Sequence, residues 1–346
     1  MARSAQRIVF SAVKEATWES LSLPDELKPG EVLVKATRTL VSAGTETAIY
    51  SGTHIGYTIP GARYPRLPFY PGYAFAGTVE AVGSAVVKFR PGDRVLGSMG
   101  HQDRVIVDTD QERGQLDVIP DGVSFDQACL TRLATISMQG VRLARLALGE
   151  HVAVFGQGLI GQFARQLAAL DGAATTTAVD LIDARLEVAR RHGATHAVNP
   201  SRDDLAAAIA GATGGQGVDV AIEATGNPAV INDALHAAAR MGRVILLGSP
   251  RGRIEIDPYT DIHSKGVSLI GAHNNTTAAA ANPYYRWTQG EHRRVALELM
   301  RQGRLHTGGL VTHHVPAAEA LPVWDALASR QQDYLGVVIV WDERSE

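Results

Sequence analysis

The stretch Val154-Phe155-Gly156-Gln157-Gly158-Leu159-Ile160-Gly161 follows an apolar run and opens a segment of helical character, Phe163-Ala164-Arg165-Gln166-Leu167-Ala168. Three glycines at this spacing between a strand and a helix form the pattern of a turn that holds a dinucleotide. Gly156 permits the tight turn, Gly158 lets the backbone approach a pyrophosphate, and Gly161 lets the helix pack close to the strand. The phosphates would lie beside Leu159 and Ile160, at a helix N-terminus whose unpaired N–H groups favour anions. The next strand-like run, 173–179, ends in Asp180, 19 residues beyond Gly161, where the ribose-binding acid of such a unit belongs. A carboxylate there accepts hydrogen bonds from the ribose hydroxyls and repels the extra phosphate of NADP, so these residues point to NAD. Arg185 is placed to lie over the adenine or pair with a phosphate, unless it is a solvated helix residue. The competing reading of 154–180 is a βαβ crossover that binds no nucleotide.

The elements that must position this turn follow from the texture of the chain. Residues 31–108 carry short β-type runs (31–36, 77–83, 93–96) punctuated by Pro-Gly and Gly turns, an all-β, barrel-like pattern. After Ser124, Ala- and Leu-rich helical periodicity alternates with apolar strands at 152–155, 175–179, 196–198, 219–223, 243–247 and 268–270. Such alternation predicts a parallel, doubly wound sheet. Beyond His273 the pattern loosens into a loop over 274–287, then predicts a helix over 291–301 and a last strand at 337–341. The expected organisation is two domains: 131–273 for the dinucleotide, and 1–130 joined by a returning 274–346.

Length and composition agree with two domains, since 346 residues are more than twice the usual domain size. A net charge of -3 argues against a nucleic-acid or anionic-membrane partner. No apolar run is long enough to span a bilayer and the N-terminal residues lack an apolar signal core, so a soluble, cytoplasmic protein is expected. Cys129 is the single cysteine, which excludes an internal disulfide and every zinc site built from several thiolates. Its helical, apolar setting predicts a buried small hydrophobe and not a nucleophile.

The order of parts, β-barrel, dinucleotide unit and C-terminal return, resembles the medium-chain dehydrogenase/reductase superfamily over nearly the whole chain. Pro29-Gly30-Glu31-Val32-Leu33-Val34 is similar to its early strand, Pro71-Gly72-Tyr73-Ala74-Phe75-Ala76-Gly77 to its glycine-histidine-glutamate segment, and Lys88-Phe89-Arg90-Pro91-Gly92-Asp93-Arg94-Val95 to its most recognisable turn. Asp219-Val220-Ala221-Ile222-Glu223-Ala224-Thr225-Gly226 and Gly242-Arg243-Val244-Ile245-Leu246-Leu247-Gly248 complete the set. The resemblance implies an α/β fold, a GroES-like β-barrel catalytic domain plus a Rossmann doubly wound parallel sheet. It adds Thr225, Gly248 and His273 to Gly156, Gly158, Leu159, Ile160, Gly161, Asp180 and Arg185 as candidate coenzyme contacts, His273 at the nicotinamide end.

Departures from the family pattern define the expected chemistry. Where its zinc enzymes carry a cysteine-glycine-threonine-aspartate motif, this chain has Ser42-Ala43-Gly44-Thr45-Glu46, with Ala43 in the position of the first metal ligand. Tyr73 replaces the second ligand and Thr131 the third, and residues 101–115 are too short, and without a thiol, for the four-cysteine lobe. No metal site is therefore expected; His54 with His101, or His313 with His314, are the alternative histidine pairs. The Ser-Ala-Gly-Thr-Glu form is similar to a zinc-lacking subgroup that includes the dehydrogenase of bacteriochlorophyllide synthesis and relatives acting on sugars, polyols or cyclitols. Alcohol oxidation needs a hydride acceptor and a proton acceptor, and zinc normally lowers the alcohol's pKa. The candidates to replace it are Thr45, matching the family's relay hydroxyl, Tyr73 as acid/base, Glu46 orienting its neighbours, and His54 for proton exit, since Ala48 stands where the relay histidine would be. The structural alternatives are Tyr73 as an amphipathic core residue, and Thr45 and Glu46 as caps of a short helix over 47–50. The expected function is a zinc-independent, NAD-dependent dehydrogenase interconverting a secondary alcohol and a ketone on a hydroxyl-rich small molecule, as a homo-oligomer. The alternatives are a zinc-free enone or quinone reductase, which usually favours NADPH, and a nucleotide-binding protein that has lost catalysis.

Overall fold

The computed structural model describes residues 3–109, 116–278, 280–283, 285–330 and 333–342. The chain forms two compact units, residues 1–132 with 307–346 and residues 133–306. The first begins with an antiparallel hairpin, β1 (Arg3–Ala12) and β2 (Glu15–Leu23). There follow β3 (Glu31–Leu40), α1 (Thr45–Tyr50), β4 (Phe75–Val82), β5 (Arg94–Gly97), β6 (Arg104–Asp108), β7 (Asp117–Val118) and α2 (Phe125–Ala144). β3 is the backbone of this unit, paired antiparallel with both β4 and β6. Eight of its ten residues are buried, and Val32, Val34 and Ala36 pack with Phe75, Val79, Phe89 and Val95. Cys129 on α2 is buried and its thiol donates to the Arg38 carbonyl at 3.3 Å; burial holds its pKa well above the usual thiol value, as suits an inert core residue.

Residues 133–306 contain β8 (His151–Phe155), α3 (Leu159–Leu170), β9 (Thr175–Val179), α4 (Asp183–Arg191), β10 (His196–Val198), α5 (Leu205–Thr213), β11 (Val218–Glu223), α6 (Pro228–Ala237), β12 (Ala238–Leu246), β13 (Ser268–Gly271) and α7 (Gln289–Arg301). The six strands form one parallel sheet in the order β10-β9-β8-β11-β12-β13. β8 and β11 are buried almost end to end, as central strands of a parallel sheet covered on both faces should be. The order reverses between β8 and β11, and a doubly wound sheet takes its ligand at the carboxyl ends of the strands flanking such a reversal.

The chain returns to the first unit with β14 (His313–Pro316), α8 (Val323–Ser329) and β15 (Val337–Val340). β15 lies between β14 and β3, and its Val337 and Ile339 join Phe10, Ile49, Tyr50 and Trp324 in a second core. The return starts at 307, later than the 274 expected. Polar contacts explain the difference: the Gln139 amide donates to Thr276 Oγ1 at 3.2 Å, Tyr285 OH donates to Gln139 Oε1 at 3.3 Å, and the Gln166 side chain makes a two-way bond with the His306 backbone at 3.0 and 2.7 Å. No helix among the described residues is long and apolar enough to cross a membrane.

Candidate functional site

The glycine turn connects β8 to α3. Gly156 has φ +89°, a left-handed value that disfavours any side chain, and a Cβ there would stand 2.6 Å from Thr225 Cγ2. Gly158 is the N-cap of α3 in extended conformation without a side-chain cap, and a Cβ added there meets nothing within 4 Å. This open space beside a helix N-terminus is what an anionic group needs, with Leu159 and Ile160 forming the first turn. Gly161 is the tightest point: its Cβ would fall 1.7 Å from the Gly156 carbonyl oxygen. Asp180, just past β9, accepts from the Gln157 N–H at 2.6 Å and from the Ile182 N–H at 2.9 Å. Its carboxylate thus stands against the turn itself, with the Arg185 guanidinium 3.9 Å away; burial lowers the pKa of that arginine. These residues fit an adenine dinucleotide.

A second carboxylate, Glu223 at the end of β11, lies beneath the same region. It accepts from the backbone N–H groups of Thr225 and Gly226 and from the Thr225 hydroxyl, and burial raises its pKa. Gly248 donates its N–H to the Glu223 carbonyl at 2.7 Å, and a Cβ at 248 would stand 2.4 Å from the Gly226 nitrogen. Thr225 and Gly248 are therefore held by Glu223, a residue that motif reading had noted only as one letter of a longer match. His273 caps the short turn 274–276, its Nδ1 accepting the Asn275 N–H at 3.2 Å.

In the first unit, Ser42, Thr45, Glu46 and Tyr73 come together. α1 begins at Thr45, with Gly44 as N-cap and no side-chain cap, so Thr45 and Glu46 lie in its first turn and do not cap a helix starting at 47. Glu46 is 1 % exposed and points back into the unit. Its Oε1 accepts the Ser42 N–H at 3.0 Å; its Oε2 accepts from Trp324 Nε1 at 3.1 Å and faces His101 Nε2 at 3.0 Å. A carboxyl group whose oxygens are both engaged this way is satisfied in the interior, and it orients its neighbours. His101 Nδ1 in turn meets Thr39 Oγ1 at 2.8 Å, and that oxygen accepts from Trp341 Nε1 at 2.9 Å. His101, one half of the alternative histidine pair with His54, is 1 % exposed and engaged by Glu46 and Thr39.

Tyr73 OH shares a short hydrogen bond with Ser42 Oγ and also bonds the Thr45 side chain. Burial raises the Tyr73 pKa, and the Glu46 charge adds to this; Ser42, Thr45 and the Arg132 guanidinium act in the opposite direction. Arg132 lies over the Tyr73 ring, 5.7 Å from its centroid. Tyr64 has its pKa pushed up to about 12, first by burial and then by Tyr73, Glu46 and Tyr57. His54 is the N-cap of the turn Ile55–Tyr57, accepting the Gly56 N–H at 3.0 Å, with its ring edge-on to Tyr64 at 5.5 Å. The sequence reading gathered Thr45, Tyr73, Glu46 and His54, but missed the Ser42 hydroxyl, Trp324 and Arg132. Ser42 was legible as part of its motif; Arg132 carries no local signal beyond following Thr131.

The metal positions hold a methyl group at Ala43, a phenol at Tyr73 engaged by Ser42, and at Thr131 a fully buried hydroxyl that donates to the Gln127 carbonyl at 3.2 Å. Among the described residues no three His, Cys, Asp or Glu side chains gather to hold a metal ion. His313 meets Thr312 and His314 meets Asp126, so this pair is engaged elsewhere. The donor set does not fit tetrahedral zinc.

Comparison with known proteins places this geometry. The Alcohol dehydrogenase GroES-like domain matches residues 28–122, and the Zinc-binding dehydrogenase family matches residues 160–288. The sorbitol dehydrogenase of Bacillus subtilis is 30% identical over 269 residues, 70% of this chain and 74% of that protein. The D-guloside 3-dehydrogenase of Escherichia coli is 31% identical over 245 residues, 70% of this chain and 69% of that protein. A protein of Sinorhizobium meliloti solved with NADP superposes with a TM-score of 0.78 at 23% identity, covering 98% of this chain and 99% of that one. The glycine turn, the strand order and these matches agree: the chain belongs to the medium-chain dehydrogenase/reductase superfamily, a family of nicotinamide-coenzyme oxidoreductases.

Proposed function

We propose that the protein is a zinc-independent, NAD-dependent dehydrogenase that interconverts a secondary alcohol and a ketone on a hydroxyl-rich small molecule of sugar, polyol or cyclitol type. The observation that carries this reading is the hydroxyl cluster Ser42, Thr45 and Tyr73 where the family's zinc enzymes carry metal ligands, in a chain whose other unit keeps an intact dinucleotide turn. The substrate class rests on the names of the relatives, a sorbitol and a guloside dehydrogenase. Bound NAD supplies the hydride acceptor. Asp180, just past β9, accepts hydrogen bonds from the ribose hydroxyls and disfavours the 2′-phosphate of NADP by charge. Tyr73 exchanges the hydroxyl proton, Thr45 and Ser42 hold the phenol oxygen, and Glu46 fixes the backbone that carries both.

The test is coenzyme reduction by the purified protein, held in excess chelator, across polyols, cyclitols, sugars and simple secondary alcohols, with NAD and NADP in parallel. Turnover that survives chelation and favours NAD is the expected result. Activity that disappears on chelation and returns with zinc overturns the metal-free reading; preference for NADP overturns the role given to Asp180.

A further inference from the structure

We propose that Arg132 is a positioning residue that acts through Tyr73, holding positive charge against the phenol ring so that its oxygen takes the substrate's hydroxyl proton. This rests on the dehydrogenase reading above. In a metal enzyme the ion supplies the charge that makes an alcohol easy to deprotonate. Here the residue after Thr131, one step along α2 from a lost ligand position, places a guanidinium 5.7 Å from the Tyr73 ring centroid. Two hydroxyls, of Ser42 and Thr45, bond the phenol oxygen and are set to donate to it when it carries charge.

The groups that face Tyr73 come from several elements. Glu46 on α1 opposes its ionisation, as does burial; Tyr64, from the segment between α1 and β4, interacts with it electrostatically; Arg132 on α2 favours ionisation, together with Ser42 and Thr45. His101 contacts Glu46, at 3.0 Å. Within this set the guanidinium is the cation that offsets Glu46. In alcohol oxidation the substrate O–H bond breaks toward the Tyr73 phenolate, which becomes a phenol. The carbinol C–H pair leaves as hydride to the nicotinamide oxidant, and the remaining electron pair on oxygen closes the C=O bond of the ketone.

The experiment is a near-ultraviolet absorbance titration of Tyr73, read as the difference between the wild-type protein and Tyr73→Phe, and again between Arg132→Met and the Arg132→Met, Tyr73→Phe double variant. The Tyr73 midpoint should rise by about one unit when the guanidinium is removed, the scale of an opposite charge within about 4–6 Å. Arg132→Lys should keep it near the wild-type value, which separates charge from shape. The alkaline-rising limb of alcohol oxidation, followed as kcat/KM against pH, should move by the same amount, with NAD affinity unchanged by fluorescence titration. An unmoved Tyr73 midpoint overturns the proposal, as does a defect seen only as a raised KM, which would make Arg132 a substrate contact. Should Arg132→Met not fold, Arg132→Gln and Arg132→Lys carry the same comparison. If no protein oxidises any alcohol, the dehydrogenase reading fails, and the titration still decides whether Arg132 governs Tyr73.

Discussion

The two regions that carry the chemistry are built from different materials. The coenzyme turn is made of backbone: its glycines matter for the atoms they lack, and Gly161 approaches a carbonyl to a distance that no side chain permits. The polar cluster of the first unit is made of side chains, with Glu46 at the centre of donors from Ser42, His101 and Trp324. Backbone turns tolerate little change, because one added carbon blocks them. A side-chain site can exchange every ligand while its scaffold stays, and here Ala43, Tyr73 and Thr131 stand at the three ligand positions. On the proposed function, coenzyme binding is the fixed half of this fold and proton handling the replaceable half.

The sharpest way to break that contrast is Gly161→Ala. A Cβ placed 1.7 Å from the Gly156 oxygen should cost about 4 kcal/mol and abolish coenzyme binding, measured by thermal unfolding and by NAD titration. A stable variant that binds NAD normally would refute the close-approach account. Glu46→Ala should cost a comparable 3 kcal/mol or about that, since it strands buried donors on His101 and Trp324. Urea unfolding checks it, and a loss below roughly 1 kcal/mol would show that the network is not what holds the pocket.

Tyr73→Phe should leave stability and NAD affinity nearly unchanged and lower turnover about a hundredfold. Its pH dependence follows in sign from burial, which raises the phenol's pKa. The phenol is protonated through neutral pH, so ketone reduction should hold there and fall as pH climbs through the Tyr73 value, while alcohol oxidation rises over the same range. Opposite behaviour of the two directions, or a fully active Phe variant, would take Tyr73 out of the mechanism. The smallest effect is expected from Asp180→Gly: NAD binding weakened about tenfold, and NADP weakened less. Because Asp180 also accepts the Gln157 and Ile182 N–H groups, both coenzymes lose something; the discriminating quantity is the ratio.

What was legible in the sequence follows the same division. The turn and its acid occupy residues 156–180, a span short enough for spacing to encode geometry, and the strands β9 and β10 fall where apolar runs predict them. The hairpin of β1 and β2 escaped notice because β2 is only half-buried and its polar residues blur the alternation. The pocket was legible only in part. The link between Glu46 and Trp324 spans 278 residues, and no local pattern announces it. Likewise the helix start at Thr45 hides behind glycine: Gly44 serves as N-cap without a side chain, so the acid at 46 looked like a cap when it reaches backward to Ser42.

The position of β15 between β14 and β3 bears on how the molecule is made. The 133–306 unit is one continuous stretch, so a ribosome releases all of it before the last strand exists. The sheet of the first unit stays open until residues 337–340 arrive, and Trp324, which closes the Glu46 network, arrives only shortly before. Folding can therefore follow synthesis closely in one half and must wait for residues 337–340 in the other, with long-range pairing the slower event. Pulse proteolysis during refolding should protect the coenzyme unit first; simultaneous protection would mean the halves fold as one. A nascent chain would then hold a dinucleotide fold while the unit that carries Ser42, Thr45 and Tyr73 still lacks Trp324 and β15, and removal of β15 should disturb that cluster more than the glycine turn.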